Sequence, residues 1–363
     1  MVKKTLNYVL VTWSMLIGLA LFLSYFSPFV HPSTVWWFAF LGLAYPLTLL
    51  LFLITLLLLF ITKNKLRFPF LILFLLGFPI HLRLVTFNFG GGSDDANNFK
   101  VMSYNVRIFD LYNWLPEDNT VVKNQILAKI EASKPQILCF QEFLLDESAN
   151  PHIKLEAIKN VIDYKDQHLK VVQEQVNKHF GLATFSSYPI IHKGSVFNEN
   201  EQSQFCIYSD IKINEDTIRV YNMHLQSIRF QKEDYKVFQA ADFSEVSYFQ
   251  KVLNMLRKVK RAYPPRVLQT EKIIAHIKES PYPVIACGDF NDTPVSYVYN
   301  LFNRELNDSF RSAGFGIGRT YAGRIPAGRI DYIFVDPELK TYNFKVHKEV
   351  LSDHFAVEVM VGR

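Results

Sequence analysis

The first 92 residues contain no Asp or Glu, and their only Lys or Arg are Lys3, Lys4, Lys63, Lys65, Arg67 and Arg83. Against chain totals of 39 basic and 34 acidic residues, this +6 leaves 33 − 34 = −1 for residues 93–363. The basic character therefore belongs to the first quarter alone. Three apolar runs fill that quarter, 5–27, 35–61 and 68–87, each close to the roughly 20 residues that cross a bilayer's hydrocarbon core. They lack the polar face of a soluble hairpin and predict three transmembrane helices. The first run is long and no small-residue cleavage site follows it, which argues against a removable signal. Basic residues precede the first run and separate the second from the third, placing the N terminus inside and everything after the third run outside. The expected organisation is a membrane domain over 1–89, a Gly/Asp/Asn-rich tether over 90–98 and a further domain over 99–363. The expected location is a bacterial inner membrane, with the last domain on the extracytoplasmic side.

Beyond the tether, strand-like runs alternate with helix-like ones. Strands are expected near 99–104, 136–140, 178–184, 204–213, 217–222, 284–287, 330–335 and 355–361. Helices are expected over 121–132, after Pro151, across much of 224–281, and from Pro294. This order reads as α/β with a partly antiparallel sheet. Cys139, Cys206 and Cys287 sit inside apolar runs and read as small core residues. Arg257, Lys258, Lys260 and Arg261 cluster at what reads as a helix end. They fit either a patch for phosphates or anionic headgroups, or cations opposing a helix dipole.

Five segments share one design: a polar tip at the end of an apolar, strand-like run. They hold Asn105, Glu142, His224, Asp289 with Asn291 and Asp331, and Asp353 with His354, so their tips can converge on one rim of a packed sheet. A phosphoester is an anion at neutral pH, and its hydrolysis needs charge neutralisation and an activated water. Glu142 is the best-placed hard oxygen ligand for Mg²⁺. Gly288 allows close backbone approach, and period two sets Asp289 and Asn291 on one side, one to orient a water and the other to contact phosphate. His354 brings an imidazole beside Asp353. Alternation buries Asp331, which then needs a partner such as His354. His224 can donate to the phosphate.

Together these residues resemble the endonuclease/exonuclease/phosphatase superfamily over about 98–363, most specifically at 288–291 (Gly-Asp-Phe-Asn), 329–332 (Arg-Ile-Asp-Tyr) and 352–354 (Ser-Asp-His). The resemblance implies a deoxyribonuclease I-like fold, an α/β four-layer sandwich of two mostly antiparallel sheets flanked by helices. It also implies that Glu142 binds Mg²⁺, or Mn²⁺ in its place, with Asn105 beside it on metal or phosphate and Asp353 assisting the metal site. Asp289 would activate the water, Asn291 hold the phosphate, His224 stabilise the transition state, and Asp331 orient His354. Two positions depart from the abasic-site enzymes: Arg107 stands where they carry an acid, and His224 where they carry Tyr.

A domain of net charge −1 lacks the positive field that duplex DNA binding relies on. Three spans and a short tether would hold the site near lipid headgroups. The leading expectation is therefore a membrane-anchored Mg²⁺-dependent phosphoesterase acting on a lipid headgroup or another small phosphoester. The alternatives are an extracytoplasmic nuclease and a non-catalytic membrane-tethered binding module.

Overall fold

The computed structural model describes residues 2–88, 95, 97–198, 205–228, 246–323 and 328–363. Most of the expected tether, 90–94 and 96, lies outside them, as do residues 229–245 of the expected helical region. The chain divides into two compact units: Met1–Val85 with Ile228–Val267 and Asp292–Asn300, and Thr86–Ser227 with Leu268–Asn291 and Leu301–Arg363.

The first unit is built on α1 (Val2–Ser24), α2 (Trp37–Ile61), α3 (Arg67–Leu76) and α4 (Phe78–His81). At 23 and 25 residues, α1 and α2 extend beyond the ~30 Å of a hydrocarbon core at ~1.5 Å per residue. Their hydroxyls bond back to their own helices, Ser14 to the Leu10 carbonyl and Thr55 to that of Leu51, as a medium without water requires. Trp13 Nε1 donates to Thr55 Oγ1 across the pair at 3.0 Å. The third expected span is corrected here. Among the described residues two helices, not three, are long and apolar enough to cross a membrane. Residues 67–81 break at Gly77, between α3 and the four-residue α4, where Pro79 has no N–H to donate to the Leu75 carbonyl. The same unit takes in Val295, which packs with Leu21, Tyr45 and Phe52, and Thr293, whose Oγ1 donates to the Gly42 carbonyl at 3.1 Å.

The second unit adds α5 (Asn119–Ser133) and α6 (Leu155–Val161) and carries the strands. In chain order these are β1 (Thr86–Phe87), β2 (Phe99–Asn105), β3 (Ile137–Asp146), β4 (Asp166–Gln175), β5 (Lys178–Ser186), β6 (Ile190–Ser195), β7 (Phe205–Ile213) and β8 (Asp216–His224). They continue with β9 (Val284–Asp289), β10 (Asn307–Asp308), β11 (Phe315–Gly316), β12 (Asp331–Val335), β13 (Lys340–Val346) and β14 (Val357–Gly362). Helix α7 (Val246–Lys278) begins in the first unit and ends in the second, α8 (Tyr297–Glu305) follows β9, and α9 (Ser309–Ala313) follows β10. The basic cluster at 257–261 lies in the middle of α7, not at a helix end, so the dipole account does not apply to it. The helix expected from Pro294 starts instead at Tyr297, with Ser296 Oγ accepting the Tyr299 amide.

Two six-stranded sheets result, ordered β13-β14-β2-β3-β5-β4 and β10-β12-β9-β8-β7-β6. Every pairing is antiparallel except one near the centre of each sheet, β2 with β3 and β8 with β9. Alternation along these strands makes strata between the sheets. Val101, Ile137, Val220 and Ile285 belong to an apolar core that also holds Cys139 and Cys287. Further along the same strands come Ser103, Gln141 and Asn222, joined by Gln141 Nε2 donating to Ser103 Oγ at 3.2 Å and to Asn222 Oδ1 at 2.7 Å. The outer face of the first sheet packs Met102, Leu138 and Phe140 against Val122, Ile126 and Ile130 of α5 and Ile158 of α6.

One partly buried imidazole makes this unit acid-sensitive. His168 Nδ1 meets Ser209 Oγ at 3.0 Å, and burial, aided by nearby Lys193, pushes the ring down to about 4 from 6.5. Between those values the unfolded chain binds the extra proton, so stability falls as pH drops from about 6.5 to 4, by up to about 3 kcal/mol before discounting for partial exposure. Melting curves of the full chain from pH 7 to 4.5 should show this fall, flattened in His168→Asn; parallel curves would contradict it.

Candidate active site

Parallel neighbours end at the same rim, so register alone brings the polar tips together. Asn105 is level with Gln141 in the first sheet, and His224 with Asp289 in the second. Antiparallel β12 begins there too, with Asp331 opposite Asp289. The glycine before Asp289 is required: at Gly288, with φ +142°, a Cβ would lie 1.9 Å from the Met223 carbonyl oxygen on β8. Glu142 sits where the pairing of β3 with β5 slips between Phe140 and Phe143, at φ 48°. A bulge of this kind re-aims a side chain out of the ladder.

At the centre lies Asp289, 1% exposed. Its Oδ2 accepts from Asn105 Nδ2 at 3.1 Å and lies 3.5 Å from His224 Nε2 and 3.6 Å from His354 Nε2. Its Oδ1 accepts the Asn291 amide at 2.8 Å. Asn105 Nδ2 also reaches Glu142 Oε1 at 3.4 Å, and that carboxylate lies 3.9 Å from His224 Nε2. His354 Nδ1 meets both oxygens of Asp331 at 3.1 Å, the pairing that the burial of Asp331 demands. Burial opposes charging of His354, yet Asp331 and then Asp289 outweigh it and hold the ring well above its ordinary range. Burial also raises the Asp289 carboxyl, with His354 pulling the other way. The imidazolium between the two carboxylates is thus oriented by one and aimed at the other.

Three of the expected residues have other engagements. Asn291 donates Nδ2 to the Leu225 carbonyl at 3.0 Å, so a contact from that nitrogen to phosphate would exchange this bond. Asn105 Oδ1 accepts the Arg107 amide at 3.1 Å, which turns its NH₂, not its oxygen, toward Glu142 and Asp289. Asp353 is held by Arg107 Nη1 at 3.4 Å and by Ser352 Oγ at 3.3 Å, and the same Ser352 hydroxyl reaches the Asn105 carbonyl.

The rim suits a divalent cation. Glu142, Asp289, Asp331 and Asp353 face Arg107 and a protonated His354, which leaves about two negative charges over. Single ligand atoms of Asp289, Asp331 and His354 lie within 4.8 Å of one another, but two of these are already bound to each other. Glu142 offers a carboxylate on the solvent side, its side chain 38% exposed.

Several supporting residues were not singled out as such from sequence. Thr320 Oγ1 accepts the amides of Ile330 and Asp331. Arg329, inside a recognised motif, forms a buried two-pronged bridge to Asp308 at 2.7 and 2.8 Å. Asn222, the polar residue two before His224, ties the sheets by donating to the Phe140 and Ala183 carbonyls. Its place in an otherwise apolar alternation was the readable signal.

A two-sheet sandwich with carboxylates and imidazoles gathered at the C-terminal ends of its parallel strands defines a phosphoester-hydrolase scaffold. The chain belongs to the endonuclease/exonuclease/phosphatase family, whose model matches residues 86–354. Residues 7–84 match a domain of unknown function (DUF8431). Comparison with curated proteins finds no match. Among solved structures, an endonuclease/exonuclease/phosphatase from Beutenbergia cavernae is 17% identical, with 73% of this chain and 71% of that one covered at a TM-score of 0.50. A conserved protein of unknown function from Enterococcus faecalis is 17% identical over 72% of this chain and 99% of that one, TM-score 0.51. A humanized D. rerio TDP2 is 14% identical over 74% and 100%, TM-score 0.50. At these identities the likeness establishes the fold.

Proposed function

We propose that this chain is a membrane-anchored, Mg²⁺-dependent phosphoesterase that hydrolyses a phosphodiester or phosphomonoester, with a lipid headgroup as the favoured substrate class. The observation that carries the reading is the buried series Asp331–His354–Asp289 beside Asn105, Glu142 and His224. Asp289 accepts the proton of the attacking water. His354, kept cationic, and His224 stabilise the negative charge that develops on the phosphoryl oxygens. Asn105 directs its NH₂ toward the same place, and Asn291 holds the Asp289 carboxylate through its amide. Glu142, with Asp353 nearby, would hold the divalent ion, which when bound supplies charge neutralisation. The apolar outer surface of α1 and α2, with Leu16 and Leu57 both 61% exposed, supports anchoring in a bilayer, and the basic residues favour an extracytoplasmic site.

The test uses the full chain in detergent, because Val295 and Thr293 pack among the N-terminal helices. Bis-p-nitrophenyl phosphate, p-nitrophenyl phosphate, plasmid DNA and sphingomyelin vesicles are offered with Mg²⁺, with Mn²⁺ and with EDTA. Turnover should vanish in EDTA and return with metal, and Glu142→Gln should raise the Mg²⁺ concentration for half-maximal rate at least about tenfold. Equal rates in EDTA would end the metal-dependent reading. Plasmid DNA as much the best substrate would replace the lipid reading with a nuclease, and silence on all four would favour a binding module.

A further inference from the structure

The loop that leaves the catalytic strand β2 is folded against backbone preference. Arg107, Ile108, Phe109 and Asp110 have φ of 43°, 48°, 55° and 55°. Four consecutive non-glycine residues there form a left-handed turn that costs roughly 1–2 kcal/mol per residue. Such strain persists only where the surroundings over-determine it. Here Ile108 and Phe109 are buried, Asp110 Oδ1 accepts the Trp114 amide at 2.8 Å, and Asn113 Oδ1 accepts the Asn119 amide. The turn and the residues that follow it bring three side chains together, with Arg107 bridged to the rim residue Asp353. The Arg107 guanidinium lies 4.2 Å over the Trp114 ring, and Trp114 and Tyr112 meet edge to face at 5.4 Å while remaining 39% and 48% exposed.

Arg107 always carries its charge. Among the described residues it lies within 4 Å of one carboxylate only, Asp353, at 3.4 Å and with its side chain 31% exposed. Asp289 instead has His224 and His354 within 4 Å. A guanidinium held over an indole is pre-organised to take a pair of anionic oxygens through its N–H groups. The exposed aromatic edges next to it suit the carbon skeleton that links two phosphates.

We infer that Arg107 and Trp114 form a selectivity subsite that binds a second phosphate of the substrate, next to the phosphoester to be cleaved. This rests on the phosphoesterase reading, so it is tested by binding, which needs no turnover. Calorimetry on the full chain in detergent with EDTA compares thymidine 3′,5′-bisphosphate with thymidine 5′-phosphate, and inositol 1,4-bisphosphate with inositol 1-phosphate. In at least one pair the bisphosphate should bind about 10- to 100-fold more tightly. That ratio should collapse toward one in Arg107→Ala, recover in part in Arg107→Lys, and shrink in Trp114→Ala. The responding pair tells a nucleotide-like source from a headgroup-like one. Equal affinities within both pairs in the unmodified chain, or a ratio unchanged by Arg107→Ala in a variant with wild-type melting temperature, would overturn the subsite. Selective binding together with no metal-dependent turnover would instead retain the subsite and refute the catalytic reading.

Discussion

Replacing His354 with alanine is expected to lower kcat on bis-p-nitrophenyl phosphate by about 10²- to 10⁴-fold, the range for losing a positioned proton donor or oxyanion-stabilising group. The ring makes two carboxylate contacts, Nδ1 to Asp331 at 3.1 Å and Nε2 to Asp289 Oδ2 at 3.6 Å, and those charges keep it protonated against the pull of burial. Asp331→Asn keeps the shape and removes the larger of the two supporting charges. The imidazolium then loses its proton at lower pH, so the alkaline fall in rate should move to lower pH as well as kcat dropping. Residues that act as a unit are non-additive, so the double variant His354→Ala/Asp331→Asn should be scarcely slower than His354→Ala alone. Its stability should exceed that of His354→Ala, in which Asp331 remains buried, 2% exposed, without its cation. Single variants within threefold of wild type would sink the assignment, whatever the family.

The second large effect is structural. Arg329→Met should destabilise the full chain by about 3–5 kcal/mol, because it strands Asp308 in the interior, and lower the melting temperature by roughly 10 °C. The guanidinium reaches both Asp308 oxygens and lies 4.5 Å from the Phe310 ring and 4.7 Å from that of Tyr332. Asp308 Oδ1 also caps α9 through the Phe310 amide. Adding Asp308→Asn should restore much of the loss, since a neutral side chain tolerates burial better and can keep the cap. Because Arg329 lies two residues before Asp331, Arg329→Met should also slow turnover in molecules that remain folded. A melting temperature within 2 °C of wild type would show that the bridge contributes little net stability.

The strands that the sequence reveals are the central ones. Val101, Ile137, Val220, Ile285 and Ile333 come from apolar runs whose alternation survives because both faces of those strands are covered, and the polar tips stand at the ends of those runs. The longer strands that were not expected, β4, β6 and β13, lie at sheet edges. There half the surface is exposed and Lys, Gln and His interrupt the pattern, as edges that resist mispairing require. The left-handed turn after Asn105 was equally hidden. Arg, Ile and Phe prefer right-handed or extended backbone, and only burial of Ile108 and Phe109 and the Asp110 bonds hold them otherwise.

The apolar first quarter shows the same division. Composition identifies its runs, but not that the third is broken at Gly77 or that Val295, more than 200 residues later, packs with them. What the sequence by itself determined is the α/β alternation, the central strands and the residue types at their tips, since periodicity and side-chain chemistry are local. Only the tertiary structure decided which tips meet, that His354 lies between Asp331 and Asp289, and which cation Asp308 needs. Those outcomes depend on register between strands far apart in sequence and on the cost of burying a charge without its partner.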